Sequence, residues 1–414
     1  MIKSKTNIDY LLLLSILIVL VFPLFPPIFG NNSFHIIPIS LILSGVIFLK
    51  NYKYFSISKD FIKVCVFFFI TFLLLLLSLI NDIFNLPETG FSDFLGIVKP
   101  VYFLIFFLVG HIALNNSFNT IKTLCLFFDI VIILSFILAI SEVFFIDHFK
   151  RILYILFKRE EKLVILDKAT GWFGVTYYFA YFSLLTFYYI LFKLSKSKNI
   201  KDWFLLIFAF FTVILTQSRT VIISLLIGLM ILPFLKISRK NSFIKLFYIF
   251  LFSIIFILLF YYSEIIKENF KYAYVGILRT IENGTEIGNQ GSLAIRFDQI
   301  IWSWNTNFYK IIGFGLGRGV PLESIYAQYI YRYGIVYLII YLFLFLYFFI
   351  ISTRLAIKLQ ENLKDYAFFS GFGVFYLTSP ISLFASSSHE MPKIAFCFFI
   401  CSAVVFKMYH KNFK

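Results

Sequence analysis

Long apolar runs separated by short polar stretches repeat along the whole chain. The runs are continuous, without the alternation of a half-buried strand, so each predicts a helix. Each is close to the ~20 residues that a helix needs to cross a bilayer. Backbone groups in lipid must bond within the segment or within a closed barrel, and continuous runs select helices. Twelve spans are predicted, at about 8–24, 34–49, 61–80, 93–114, 121–147, 172–192, 202–217, 219–235, 243–262, 334–353, 365–383 and 390–408. The first is read as a retained helix, because "FPLFPPIFGNNS" after it has no small-x-small cleavage pattern. No internal repeat is visible, and no soluble domain fits between the spans. The expected architecture is an all-α integral membrane protein, with residues 1–414 as a single polytopic domain.

Composition agrees with this pattern. Of the 414 residues, 61% are hydrophobic and 14% charged, and 59 are phenylalanine. A soluble protein of this size could not hide so much apolar surface. The net charge of +16 does not call for nucleic acid. With the N-terminus in the cytoplasm, most basic residues fall on inner segments, among them Lys50, Lys53, Lys193, Lys196, Lys236, Arg239, Lys358, Lys364 and Lys407. Basic inner loops face anionic lipid. Both termini are then cytoplasmic.

Two segments on the outer side break the rule. One is 148–171, which includes Lys158 and Lys168. The other is the large extracytoplasmic loop 263–323, with Arg279, Arg296 and Arg318. Arg219 also lands outside, in the turn "TQSRT". Basic side chains near a membrane surface often snorkel to head groups. Arg219, however, starts a helix, where the backbone dipole disfavours a cation and favours an anion. The outer side is therefore read as built to hold something negative.

Within the large loop, "LAIRFDQIIWSW" (293–304) has Leu293, Phe297, Ile300, Ile301 and Trp304 at helical spacing. It predicts a short amphipathic helix on the membrane surface, with Arg296 off the apolar stripe. Next comes "IIGFGLGRGVPLES", whose glycines allow either a flexible turn or close approach of backbone to a ligand. A helix then begins near Glu323. The cysteines Cys65, Cys125, Cys397 and Cys401 all lie in spans and read as packing residues. No metal-ligand spacing, cofactor motif or phosphate-loop lysine is present in the sequence, so no cofactor is expected.

The order of these motifs resembles the O-antigen polymerase and O-antigen ligase family of bacterial envelope glycosyltransferases. "DFLGIVKPVYFLIFFLVG" (93–110) is similar to the family's early span carrying a basic residue, here Lys99. "KATGWFGVTYYFAYF" (168–182) resembles its R-x-x-G-x-F turn, with Lys168 in place of arginine. "LTQSRTVIISLLIGL" (215–229) resembles its T-x-S-R motif, and Arg219 matches. "SLAIRFDQIIWSW" followed by "GFGLG" resembles its second arginine element, and Arg296 matches.

The resemblance implies a GT-C-like fold and a bacterial cytoplasmic-membrane location with an extracytoplasmic site. It implies metal-independent transfer between glycans carried on undecaprenyl diphosphate. Donor and acceptor lipid-linked glycans are the implied partners, together with membrane lipids and a chain-length regulator protein. Arginine binds diphosphate through forked, charge-assisted hydrogen bonds. Arg296 and Arg219 are therefore the expected stabilisers of the leaving group, with Arg279, Arg318 and Lys168 as further binding residues.

Glu323 suits a general base, or an acid favoured by the start of a helix. His389 and Glu390, in "SSSHEMPK", form a second candidate pair, or a solvated turn. Trp172, Trp302, Tyr326 and Tyr329 suit stacking on sugars, or an interfacial aromatic belt. Ligases of the family tend to carry His-Asn where this chain has Glu323-Ser324, which favours polymerase over ligase. Few charges lie in the spans, which argues against a transporter or flippase of the lipid-linked glycan.

The charge pattern yields a topological prediction. A cysteine introduced near Asn289 should react with a membrane-impermeant thiol reagent in intact cells. Reaction only after permeabilisation would invert the orientation.

Overall fold

The computed structural model describes residues 8–24, 34–55, 58–85, 96–114, 119–145, 149, 156, 168–197, 199–232, 235, 292–306, 311–315 and 322–413. Among these residues every regular element is helical. In chain order they are α1 (Tyr10–Val21), α2 (Ile36–Asn51), α3 (Lys59–Asn85), α4 (Lys99–Ala113), α5 (Thr120–Phe144), α6 (Thr176–Lys196), α7 (Ile200–Leu215) and α8 (Arg219–Ile231). They continue with α9 (Ser292–Thr306), α10 (Ile325–Gln328), α11 (Ile335–Lys358), α12 (Leu363–Ser382) and α13 (Pro392–Phe413). Tyr329–Tyr333, after α10, form a π-helical turn. A helix stands at each expected span except 243–262, which lies outside the described residues, as do Arg279 and Arg318.

Among the described residues, four stretches are long and apolar enough to cross a membrane: Lys59–Asn81, Thr120–Phe144, Ile335–Lys358 and Pro392–Phe413. The shorter α1, α2, α4 and α8 are also apolar. Exposed apolar side chains on α3 are Ile62, Val66, Phe69, Ile70, Leu73, Leu77 and Ile80, and on α11 they include Ile339, Phe343, Leu346 and Ile350. Spacings of three and four make each set one continuous apolar stripe. Apolar stripes of this length are compatible with a membrane-embedded protein, in which lipid covers them.

The helices buried on all sides are the less apolar ones. α6 is buried from Phe179 to Phe192, α12 from Tyr366 to Tyr376, and α13 from Pro392 to Phe406. Many of their hydroxyls bond to the preceding turn or to each other, although those of Thr176, Ser183 and Ser370 are buried without a partner. Thr378 donates to the Val374 carbonyl at 3.0 Å and Ser379 to the Phe375 carbonyl at 2.7 Å. Tyr376 and Ser402 share a 2.6 Å bond, and Tyr181 and Ser379 a 3.0 Å bond. Such groups cost little when a neighbouring helix supplies the partner.

Helix ends collect on two opposite faces, because successive helices run in alternating directions. One face is basic. Here Lys193 bridges Asp129 and Asp202 at 2.7 and 3.0 Å, Lys50 meets Asp9 at 3.3 Å, and Lys407 donates to the His111 carbonyl at 2.6 Å. The start of α1 and the end of α13 both lie on this face: the Asp9 amide donates to Thr123, and Lys358 to the Asn412 carbonyl. The opposite face carries the described turns 168–175, 216–219, 311–315, 322–334 and 383–391.

Close helix approach depends on small residues. A Cβ at Gly371 of α12 would stand 2.7 Å from the Tyr189 Cα of α6. Gly45 of α2 is open, with nothing within 4 Å of its Cβ position. Gly371→Val should therefore lower stability by about 3 kcal/mol. Gly45→Ala should change it by less than about 1 kcal/mol. Thermal unfolding in detergent compares them, and equal melting of the two variants would contradict the packing.

Candidate functional site

On the turn-bearing face, α9 is inverted relative to a soluble amphipathic helix. Its exposed residues are apolar (Ile295, Phe297, Ile301, Trp302 and Trp304) except for Asn305 near its end, while Arg296 and Ser303 are buried. Local sequence explains this. Phe297, Ile301 and Trp304 share one stripe, and Arg296 falls beside it. Ile300 packs with Leu322 and Tyr331, and Phe297 lies 5.0 Å from the Phe384 ring. These contacts seat α9 on the bundle and turn Arg296 inward.

The Arg296 guanidinium reaches two partners through Nη2. It donates at 3.0 Å to the Tyr177 hydroxyl, in the first turn of α6, and at 3.0 Å to the Glu323 carboxylate. Its buried Nε has no partner. The pair is uneven, since the Arg296 side chain is 4% exposed and that of Glu323 56%. Gln299, one turn further along α9, accepts the Glu323 amide N–H at 3.0 Å. The Glu323 carboxylate is thus held at the surface of the site, largely open to its surroundings. Tyr326 lies nearby, with its hydroxyl on the Pro380 carbonyl at 2.8 Å and its ring 6.0 Å from Phe384.

The described glycines of the loop serve close backbone approach. Gly313 and Gly334 both have positive φ, 88° and 85°. A Cβ on Gly313 would lie 2.6 Å from the Gly334 nitrogen. Asn81 of α3 donates to the Gly313 carbonyl at 2.8 Å, and the Phe314 amide donates to the Tyr331 carbonyl at 2.6 Å. This half of the loop packs against protein backbone. Gly317 and Gly319 lie outside the described residues.

His389 and Glu390 are both buried, so the solvated-turn reading is corrected. The last turn is covered by the aromatic side chains of α11 and α13, with Tyr341 5.3 Å and Phe345 5.6 Å from the His389 ring. Lys99 meets Glu390 at 2.6 Å, and the Tyr329 hydroxyl donates to the other Glu390 oxygen. Tyrosine has one proton to give. The 3.2 Å contact between Tyr329 and His389 is then made by an Nε2–H donating to the phenol oxygen. That tautomer leaves Nδ1 as a bare lone pair, and it is buried without a partner. Burial pushes the imidazole down to about 4, and neighbouring Glu390 only partly opposes it.

A third cluster frames the turn 168–172. The Glu142 carboxylate, buried near the end of α5, accepts the amide N–H groups of Thr170 at 2.5 Å and Gly171 at 3.2 Å. Lys393 donates to the Trp172 carbonyl at 2.6 Å and the Phe22 carbonyl at 2.5 Å. Lys168 is buried, and the adjacent Ala169 amide bonds the Leu215 carbonyl at 3.0 Å, beside the Arg219 turn. The Trp172 indole donates to Ser135 at 3.4 Å. Arg219 is the first residue of α8, after Gln217 in a left-handed conformation (φ 52°).

The structure thus joins Arg296 with Glu323, His389 with Tyr329 and Glu390, and Lys168 with the chain leading to Arg219. Sequence reading missed Tyr177, Gln299, Glu142 and Lys393. Glu142 and Lys393 carried a signal, being charges within or beside apolar runs. Tyr177, one of 26 tyrosines, carried none. Among the described residues, no group of three or more His, Cys, Asp or Glu is placed to hold a metal ion. No protein-family model and no curated protein matches the chain.

His389 gives the protein an acid-side dependence. Its folded value of about 4 lies below the ordinary 6.5, so the unfolded chain takes up the proton first. The stabilisation is fully present above 6.5 and is lost as pH falls towards about 4. The total is about 3 kcal/mol. His389→Gln should flatten unfolding stability across this window. An unchanged pH profile would exclude His389 as its source.

Proposed function

We propose that the chain is a metal-independent membrane glycosyltransferase. It joins undecaprenyl-diphosphate-linked repeat units into a surface polysaccharide (O-antigen, capsule or exopolysaccharide) on the outer side of the bacterial cytoplasmic membrane. In this reading the fold is GT-C-like with twelve spans, the basic face is cytoplasmic, and the turn-bearing face is extracytoplasmic. The observation that carries it is Arg296. Its buried guanidinium stands under a helix whose exposed side is apolar, with one exposed carboxylate against it. An amphiphile with an anionic head and apolar tail suits that combination.

In the transfer, an acceptor sugar hydroxyl attacks the anomeric carbon of the donor. The C–O bond to diphosphate breaks, its electron pair stays on the diphosphate, and the hydroxyl proton passes to water at the membrane surface. Single in-line displacement inverts the anomeric centre. Charge grows on the leaving oxygen, where fixed guanidinium donors act most strongly. Arg296 takes that role, with Arg219 on the same face. Tyr177 holds the guanidinium plane from the α6 side. The growing chain passes to each new lipid-linked unit, so units enter at the reducing end.

Purified protein with tagged lipid-linked repeat units should give a polymer ladder. Transfer to lipid A core or protein would instead indicate a ligase, and absence of chemistry a transporter. Arg296→Ala and Arg219→Ala should each lower the rate by about a hundredfold, which corresponds to ~3 kcal/mol. Lysine should restore only part, because it lacks the forked contact. Wild-type ladders from both alanine variants would remove the arginines from the chemistry.

A further inference from the structure

Arg296 presents a problem that Glu323 answers. A guanidinium beneath an apolar, lipid-compatible helix lies close to head groups. Anionic phospholipids carry one negative charge each and far outnumber any lipid-linked substrate. An open arginine there would be occupied by them. Glu323 already fills one side of the guanidinium, at 3.0 Å, and is itself 56% exposed. It is tethered twice to α9, through its carboxylate on Arg296 and its amide on Gln299. The contact uses only Nη2, while Nε is buried and unpartnered. The site is therefore closed by a single, outward-facing, removable carboxylate, with a donor still unused beneath it.

We propose that Glu323 is a charge-selective guard on Arg296, and that it is not the proton acceptor of the reaction. This rests on the diphosphate reading of the site. A tethered carboxylate competes at a high effective concentration, in the millimolar range for short tethers. A singly charged head group offers no more charge than Glu323 and gains little by replacing it. A diphosphate carries two or more charges and several acceptor oxygens, so it can displace Glu323 and engage Nε as well. After transfer the departing diphosphate gains a further charge and binds more tightly. Return of Glu323 to Arg296 then assists its release.

The test is binding of farnesyl diphosphate to the purified full chain in nanodiscs, of neutral phosphatidylcholine or with added phosphatidylglycerol. In neutral discs, Glu323→Gln should tighten binding about fivefold, the value of a modest ion pair. Phosphatidylglycerol should weaken binding to Glu323→Gln strongly and to the wild type little. In an Arg296→Ala background, Glu323→Gln should have no effect. Binding that depends on Arg296 but is unchanged or weakened by Glu323→Gln, with equal sensitivity to phosphatidylglycerol, would overturn the guard while leaving the diphosphate site standing. Absence of Arg296-dependent binding in every variant would overturn both.

Discussion

Lys393 brings a side-chain amino group into the bundle, where main-chain oxygens of Phe22 and Trp172 receive it. It ties the end of α1 and the turn before α6 to the start of α13. The same constraint governs the rest of the turn-bearing face. A charge or hydrogen-bonding group surrounded by apolar helices has no water to return to, so the chain itself must supply its partner. Glu142 is satisfied by two amides of one turn, and Glu390 by Lys99 and Tyr329. Removing one member of such a buried pair costs about 3–5 kcal/mol. Each pair therefore fixes where the turns lie, more firmly than loop length would.

This constraint also shapes the interior. The central helices α6, α12 and α13 carry serines, threonines and tyrosines that would be costly against lipid, and pairs such as Tyr181 with Ser379 and Tyr376 with Ser402 find each other. The peripheral faces of α3 and α11 carry branched and aromatic side chains instead. Polarity runs opposite to that of a soluble protein, because the surrounding medium is opposite. α9 follows the same logic on a smaller scale, with tryptophans outward and Arg296 inward.

Arg296 differs from the other buried charges in one respect. Lys99 and Glu390 are nearly enclosed, with side-chain exposures of 24% and 5%. The partner of Arg296 is largely exposed, so this charge can change its partner without unfolding anything. A buried charge with an exchangeable counter-charge is suited to binding, whereas one with a fixed partner is suited to holding the fold. The proposed function therefore rests on Arg296, and the Lys99–Glu390 pair serves as architecture.

Helix positions were largely readable from the chain, because crossing an apolar layer imposes a local rule on successive residues. The runs at 61–80, 121–147 and 334–353 coincide with α3, α5 and α11 for that reason. The orientation of Arg296 off the apolar stripe was readable too, since 3.6-residue periodicity is local. The partners were not. Glu390 finds Lys99 across 291 residues, and Tyr177 finds Arg296 across 119. The burial of His389 was missed because the rings that cover it come from α11 and α13 and not from its own turn. Apolarity is written residue by residue, so the sequence alone determined which segments are helices and which charges are out of place. Which charges meet depends on which helix packs against which. That is settled by close helix approaches such as Gly371 against the Tyr189 backbone, and so only the tertiary structure decided it.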